Sequence, residues 1–330
     1  MKARLVAALT TALLAGVCAC APESESGSPP AAPTAPPAAP QVTAKVAALK
    51  GPTTMGLAWA LDRQADASPV RFELSLHGSP DEISPGLVKG QTEVAAIPAN
   101  LAAVLYSKGA QIKVAAVNTL GVLHVVAKNE QVLGLADLAG KKVFSAGKGT
   151  TPQYVLEYLL AKNGVDAAVE YLSEASEVAT RLAAEDAAVA VLPEPYVTTA
   201  LANDPSLVRA IDLTAEWDKV SDTALVTGVL VVADQFPADH GEAFDVFLED
   251  YRASIEYTNA NPGDVAPLIA NLGIVPSPEV AEAAIPGSHL AFLSGPECKA
   301  AVSAYLDVLF QADPASVGGA PPDDAFYYGA

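Results

Sequence analysis

Apolar residues run along this chain in two rhythms. Short continuous runs read as buried strands: AKVAAL (44–49), RFELSLH (71–77), VAAIPA (94–99), KKVFSA (141–146), VEYLS (169–173), AVAVLP (188–193), LVRAIDL (207–213) and ALVTGVLVVA (224–233). A longer run, IKVAAVNTLGVLHVV (112–126), reads as one extended strand. Between these runs the apolar spacing becomes helical, at about 54–66, 100–108, 152–163, 175–185 and 196–203, and from 237 it is helical almost to the end. Strand–helix alternation predicts an α/β protein with mostly parallel sheets, because parallel neighbours need crossover helices.

The pattern also repeats. KVAALKGPTTMGLAWAL (45–61) and KVFSAGKGTTPQYVLEYLL (142–160) each run from strand through Lys-Gly or Gly-Lys-Gly to a Thr pair and a helix, and in both the Thr pair starts eight positions after the Lys-Val pair. VAAIPANLAAVLY (94–106) and VAVLPEPYVTTAL (189–201) then each run from strand through Pro to helix. Two related halves, each with two strand ends feeding helices, predict two facing lobes. Ligands of open α/β sheets sit beyond the carboxyl ends of the strands. The expected division is lobe one at 43–127 plus 227–330 and lobe two at 128–226, with the chain crossing near 128 and 226.

The N-terminus changes the picture. Lys2 and Arg4 precede LVAALTTALLAGV (5–17), a secretory-signal pattern too short to span a bilayer comfortably. The run ends in VCAC, which resembles a bacterial lipobox. Cys20 is the expected lipidated residue, with Val17 at −3 and Ala19 at −1; Cys18 is the alternative, and a cleaved signal without lipid is a further one. Residues 1–19 are thus the signal and 20–42 a tether. Seven of the 26 prolines lie between Pro22 and Pro40. Such an extended segment reaches about 60 Å at roughly 3.1 Å per residue.

Composition bounds the body. With 330 residues, 51% of them hydrophobic, the chain supports two ordinary lobes with cores. The net charge of −19 argues against nucleic acid as a partner, since phosphate binding needs a cationic face. Outside the signal region the one cysteine is Cys298, read as a small buried hydrophobe. His77, His124, His240 and His289 show no metal-ligand spacing, so neither metal nor cofactor is expected.

Candidate chemistry concentrates at the repeated turns. A helix N-terminus carries unpaired N–H groups and partial positive charge, Pro fits its first turn, and Thr can cap it or turn its hydroxyl to a ligand. GKGTT lacks the long glycine-rich loop of a nucleotide phosphate site, and GxSxG, HExxH and CxxC are absent. SPDEI (79–83) has the spacing of a capping box. Glu194, between Pro193 and Pro195 at a strand end, is the sharpest acidic candidate, against a solvated loop carboxylate. Asn100 and Asn118 both donate and accept, which suits amides and uncharged heterocycles. Trp59 and Trp217 are candidates for stacking on a flat ligand, although core packing is commoner. PDDAFYY (322–328) carries aromatics where tails fray, and is expected to dock on the body.

Together KGPTTMGL, EVAAIPANLAAVLY, AVNTLGVLHVV, GKGTTPQYVLEYLL, VAVLPEPYVTTAL and PPDDAFYY resemble the solute-binding lipoproteins of ABC importers, in the nitrate, sulfonate and thiamine-precursor-like group, over about residues 43 to 328. The resemblance implies a two-lobed periplasmic-binding-protein-like fold of type II, closing on a small-molecule solute. It implies an extracytoplasmic, membrane-anchored monomer, not an enzyme, that delivers its solute to a permease and an ATPase. Carried over, the ligand-binding positions are Thr53, Thr54, Met55, Asn100, Asn118, Gly149, Thr150, Thr151 and Glu194. The alternatives are an enzyme on the same fold, of precursor-synthase or menaquinone-pathway type, and a surface lipoprotein without a transport role.

Overall fold

The computed structural model describes residues 41–64 and 68–330. The signal segment, Cys18, Cys20 and the tether as far as residue 40 lie outside the described residues. In chain order the first elements are β1 (Val42–Leu49), α1 (Pro52–Met55), α2 (Ala58–Asp62), β2 (Val70–His77), α3 (Pro80–Val88), β3 (Val94–Pro98), α4 (Ala99–Ser107) and β4 (Ile112–Thr119). There follow β5 (Leu123–Lys128), β6 (Lys142–Ala146), α5 (Thr151–Lys162), β7 (Ala168–Leu172), α6 (Ala175–Ala184), β8 (Ala188–Pro193), α7 (Tyr196–Asn203), β9 (Leu207–Asp212) and α8 (Leu213–Trp217). The chain ends through β10 (Gly228–Ala233), α9 (Gln235–Ala260), α10 (Pro262–Asn271), α11 (Pro278–Ala284), β11 (Leu290–Ser294) and α12 (Gly295–Ala312).

Two sheets result. The first has six strands in the order β11-β4-β10-β3-β1-β2; the second has five, in the order β7-β6-β8-β5-β9. They are mixed rather than mostly parallel. The β1–β2, β1–β3, β6–β7 and β6–β8 pairs are parallel, joined by crossover helices as the apolar runs require. All pairs made by β4, β5 and β10 are antiparallel. These strands flank the two passages of the chain between the sheets, so they run against the strands beside them.

The run read as one strand over 112–126 is two strands. β4 pairs in the first sheet with β10 and β11, whereas β5 pairs in the second with β8 and β9. The break falls at Leu120-Gly121-Val122, so residues 123–127, assigned from sequence to lobe one, belong to the second sheet. Gly121 has no room for a side chain: a β-carbon there would lie 2.1 Å from Thr214 Oγ1. The helical reading after 237 missed β11, a five-residue edge strand on β4.

One continuous apolar core runs through both sheets. It takes Ala47, Ile97, Val114 and Val117 from the first and Leu123, Val125, Val143 and Val191 from the second. Trp217 on α8 and Tyr305 on α12, both fully buried, join it with ring centroids 5.6 Å apart. Trp217 is therefore a core residue, its indole N–H donating to the Thr223 carbonyl at 2.7 Å. Trp59 stacks on Tyr257 at 4.6 Å. The C-terminal aromatics dock as expected: Phe326 is buried, Tyr327 bridges to Val114, and the Tyr328 N–H donates to the Val114 carbonyl at 2.9 Å. Among the described residues no helix is long and apolar enough to cross a membrane.

Candidate functional site

The carboxyl ends of β1 and β3 in the first sheet face those of β6 and β8 in the second across a cavity of about 120 Å³. Its walls are mostly apolar, with Leu49 and Pro98 on one side and Leu123, Ala146 and Val191 on the other. Hydroxyl groups punctuate them: Thr53, Thr150, Thr151 and Thr227 all line the space. Lys50 and Glu174 are the charged residues among those that line it.

The two repeated turns build this space differently. In the first, Gly51 caps α1, and Thr53 and Thr54 sit inside the helix after Pro52. In the second, Thr150 is itself the cap of α5, Thr151 opens the helix, and Pro152 follows. Equal spacing in sequence has become a two-residue offset along the helix. The Thr54 hydroxyl turns back to the carbonyl of Leu49, the last residue of β1, and so ties strand to helix. The Thr150 hydroxyl makes the equivalent tie to the Gly147 carbonyl at 2.7 Å. Thr53 differs. It is 5% exposed, and its hydroxyl has no hydrogen-bond partner among the described residues. Its backbone carbonyl accepts from Asn118 Nδ2 at 3.4 Å and from the Tyr251 hydroxyl at 3.3 Å, which holds the residue in place.

Of the nine positions read from sequence, Thr53, Thr150 and Thr151 line the cavity. The other six do not, and each has a local employment. Met55 is buried in the core behind the first sheet. Asn118 supports the Thr53 carbonyl and accepts from the Thr119 hydroxyl at 3.0 Å. Gly149 sits at φ 79°, a left-handed turn position that favours glycine. Asn100, fully buried, donates to the carbonyls of Gly149 at 3.2 Å and Ser316 at 3.1 Å. Thr54 makes the tie to Leu49.

Glu194 is displaced furthest from its reading. It is not a solvated loop carboxylate: it is fully buried outside the cavity lining and paired with Arg209 on β9, and it accepts from the Thr198 N–H at 3.1 Å. Arg209 in turn approaches His124 Nε2 at 3.4 Å. The capping box at SPDEI forms only in part: Glu82 reaches the Gly78 N–H at 3.3 Å, while Ser79 makes no side-chain cap.

Tyr196, Glu174 and Thr227, all at the cavity, escaped sequence reasoning. Tyr196, at the start of α7, donates its hydroxyl to the Lys50 carbonyl at 2.9 Å and so joins the two sheets across the mouth. Burial, helped by the Glu174 charge, raises the Tyr196 pKa and keeps this donor protonated. Glu174 lies over Gly78, where a β-carbon would come within 2.3 Å of its Oε1. Thr227 precedes β10, and its hydroxyl also has no protein partner. The available signals were a tyrosine directly after Pro193-Glu194-Pro195 and a Thr-Gly pair interrupting an apolar strand.

The family described as menaquinone biosynthesis matches residues 45–291. No curated protein is detectably similar to the chain. Among solved structures, an ABC transporter protein from Parabacteroides distasonis superposes with a TM-score of 0.73 at 27% identity, covering 87% of this chain and 99% of that one. The alkanesulfonate-binding protein SsuA of Xanthomonas axonopodis pv. citri, bound to MOPS, gives 0.67 at 17% identity, covering 83% and 94%. The periplasmic nitrate-binding protein NrtA of Synechocystis PCC 6803 gives 0.66 at 12% identity, covering 83% of each chain. The fold is that of periplasmic binding proteins. The family match corrects the expectation that the chain is not an enzyme, because that family is described by a biosynthetic pathway.

Proposed function

The chain belongs to the menaquinone-biosynthesis family, and we propose that it captures a small organic molecule in the cleft between its two sheets and, on its likeness to ABC-transporter proteins, that it does so as the extracytoplasmic binding component of an ABC importer. One observation carries this reading: the cavity is walled by the strand ends of both sheets and bridged at its mouth by the Tyr196–Lys50 hydrogen bond. A molecule held there is enclosed by two halves of one chain, which is what a carrier needs. The likeness to an ABC transporter protein, at 27% identity over nearly the whole length of that chain, and to the SsuA and NrtA binding proteins supports the same role. In this reading the permease and the ATPase are the partners, the signal pattern directs export, and acylated Cys20 anchors the body through the proline-rich tether.

A second reading, an enzyme acting on a molecule held in the same cleft, is favoured by the family match. One experiment separates the two. Protein purified from its native host is denatured, and the released small molecules are identified by mass spectrometry. The identified molecule is then incubated with fresh protein. Stoichiometric return of the unchanged molecule supports the carrier; its conversion supports the enzyme. Release of no small molecule, with no thermal stabilisation by any candidate solute, removes both readings. The anchor is tested separately: Cys20→Ala should abolish labelling by palmitate and release the body from membranes, and retained label places the acyl chain elsewhere.

A further inference from the structure

Every solute carrier must match the charge of its cargo, and this cleft has little to offer an anion. Among the described residues lining it, the basic one is Lys50, whose side chain is exposed at the rim. Arg209, the guanidinium near the end of β8, does not line the cavity and is committed to buried Glu194. The acidic lining residue, Glu174, would repel a carboxylate, and the chain's net charge of −19 acts in the same direction.

What the cleft does offer is two neighbouring residues in its lining, Thr53 and Thr227, whose hydroxyls are unsatisfied among the described residues. The hydroxyl of Thr151 is spent on Asn100 Oδ1 and that of Thr150 on Gly147. Those of Thr53 and Thr227 are buried with no protein partner. The two residues are neighbours, because the Thr53 methyl occupies the space beside Gly228: a β-carbon on Gly228 would lie 2.5 Å from it. A buried polar group left unpaired costs stability, so a pair of them on neighbouring residues that line one cavity marks a place where a ligand, met by a turn of each side chain, completes the bonding. Hydroxyls donate and accept without carrying charge, so they suit a carbonyl, amide or hydroxyl. The opposite wall, Leu123, Ala146 and Val191, is apolar.

We propose that the molecule taken by this cleft is uncharged and mostly apolar, and that its one carbonyl, amide or hydroxyl group is held by Thr53 and Thr227. This rests on the cleft being the binding site, and it differs from the anions that the SsuA and NrtA neighbours are named for. Thr53 and Thr227 are the specificity-determining residues.

The test uses matched pairs of probes that differ only in charge: benzamide and benzoate, nicotinamide and nicotinate, butyramide and butyrate. Binding of each is measured by calorimetry to the wild type, Thr53→Val, Thr53→Ser and Thr227→Val. Salt at about 0.15 M and about 0.5 M separates local preference from long-range repulsion, which the higher salt screens. The carboxamides should bind more tightly than their carboxylates at both salt concentrations. Each valine variant should weaken carboxamide binding about five- to tenfold, the factor expected for one lost hydrogen bond, and Thr53→Ser should retain it. Tighter binding of the carboxylates, or carboxamide binding indifferent to the valine variants, overturns this inference and leaves the cleft as a binding site. Binding by no member of any pair overturns both.

Discussion

The hydroxyl of Thr151 donates to Oδ1 of Asn100 across 3.3 Å, between the first residue of α5 and the first turn of α4. Each residue stands out in the sequence as a candidate ligand contact. In the fold they satisfy each other instead, both fully buried, and the Asn100 amide adds bonds to Gly149 and Ser316. One side chain from the first sheet thereby holds the turn that opens the second sheet's main helix. The two halves of the cleft are fastened at its floor by this amide and at its mouth by Tyr196.

The fastening predicts non-additive stability. Asn100→Ala should cost about 2 to 3 kcal/mol, because it leaves the buried Ser316 carbonyl unpaired and removes the acceptor of the buried Thr151 hydroxyl. Thr151→Val should cost less, about 1 kcal/mol. Urea unfolding of the double variant should fall short of the sum by about 0.5 kcal/mol or more, as for residues in one network. Full additivity would mean that the two side chains act independently.

At the mouth, Tyr196→Phe removes one hydrogen bond to Lys50 and leaves the ring in place. Its main effect should be kinetic. A bound solute should leave several-fold faster, while folding stability changes by less than about 1 kcal/mol. Stopped-flow dissociation of the molecule identified by mass spectrometry measures this, and an unchanged off-rate would show that the bond does not retain the solute.

Thr53 and Thr54 are adjacent and should behave oppositely. Thr54→Val leaves the half-buried Leu49 carbonyl without the hydroxyl that ties it to α1, and buries no polar group in exchange, which should cost about 1 kcal/mol of stability and leave affinity unchanged. Thr53→Val removes a hydroxyl that bonds nothing in the protein, so the unliganded melting temperature should hold or rise while affinity falls. Thermal melts with and without ligand distinguish them. A stability loss at Thr53 equal to that at Thr54 would make both plain structural residues.

The strands and helices that carry the cleft were legible because apolar periodicity and Pro or Gly punctuation report directly on burial and chain direction. KGPTT and GKGTT were visible for the same reason. Which hydroxyl faces the cavity was not legible. The same two threonines fall inside one helix and at the cap of the other, and that offset is set by where each helix begins, at Pro52 in the first turn and at Thr151 in the second, since both strands end at equivalent positions. Asn100, Asn118 and Glu194 were conspicuous as polar residues in apolar surroundings, but their partners, the carbonyls of Ser316 and Thr53 and the guanidinium of Arg209, are supplied by tertiary packing. The break between β4 and β5 was hidden because β-branched and small residues continue through Leu120-Gly121-Val122, and only pairing with different sheets separates the two strands.

Cys298 on α12 is 2% exposed, and burial pushes its thiol up to about 12. It should therefore be almost entirely protonated and inert toward iodoacetamide near pH 8. Peptide-resolved mass spectrometry should find label at Cys298 only after denaturation. Labelling of the native protein at the rate of a free thiol would require that α12 detach readily from the core.

His124 gives the fold a dependence on acid. It lies on β5, 4% exposed, with Nε2 toward Arg209 and Nδ1 without a protein partner. Burial first, and the Arg209 charge second, lower its pKa below the ordinary 6.5; His289 adds to this, while Asp212 and Glu194 oppose it. In the native state the ring is thus held neutral. In the unfolded chain it takes up a proton as pH falls through 6.5. Between that value and the lowered native one, the unfolded state binds more protons, so the stability due to this group is complete above pH 6.5 and is lost as the solution is acidified. His124→Gln keeps a polar group of similar reach and removes the titration. Unfolding free energies measured from about pH 7.5 to about pH 5.5 should therefore fall less steeply for His124→Gln than for the wild type, whatever the variant's absolute stability. Parallel profiles would mean that the ring is protonated in the folded protein as readily as in the unfolded one, with Asp212 and Glu194 outweighing burial and Arg209.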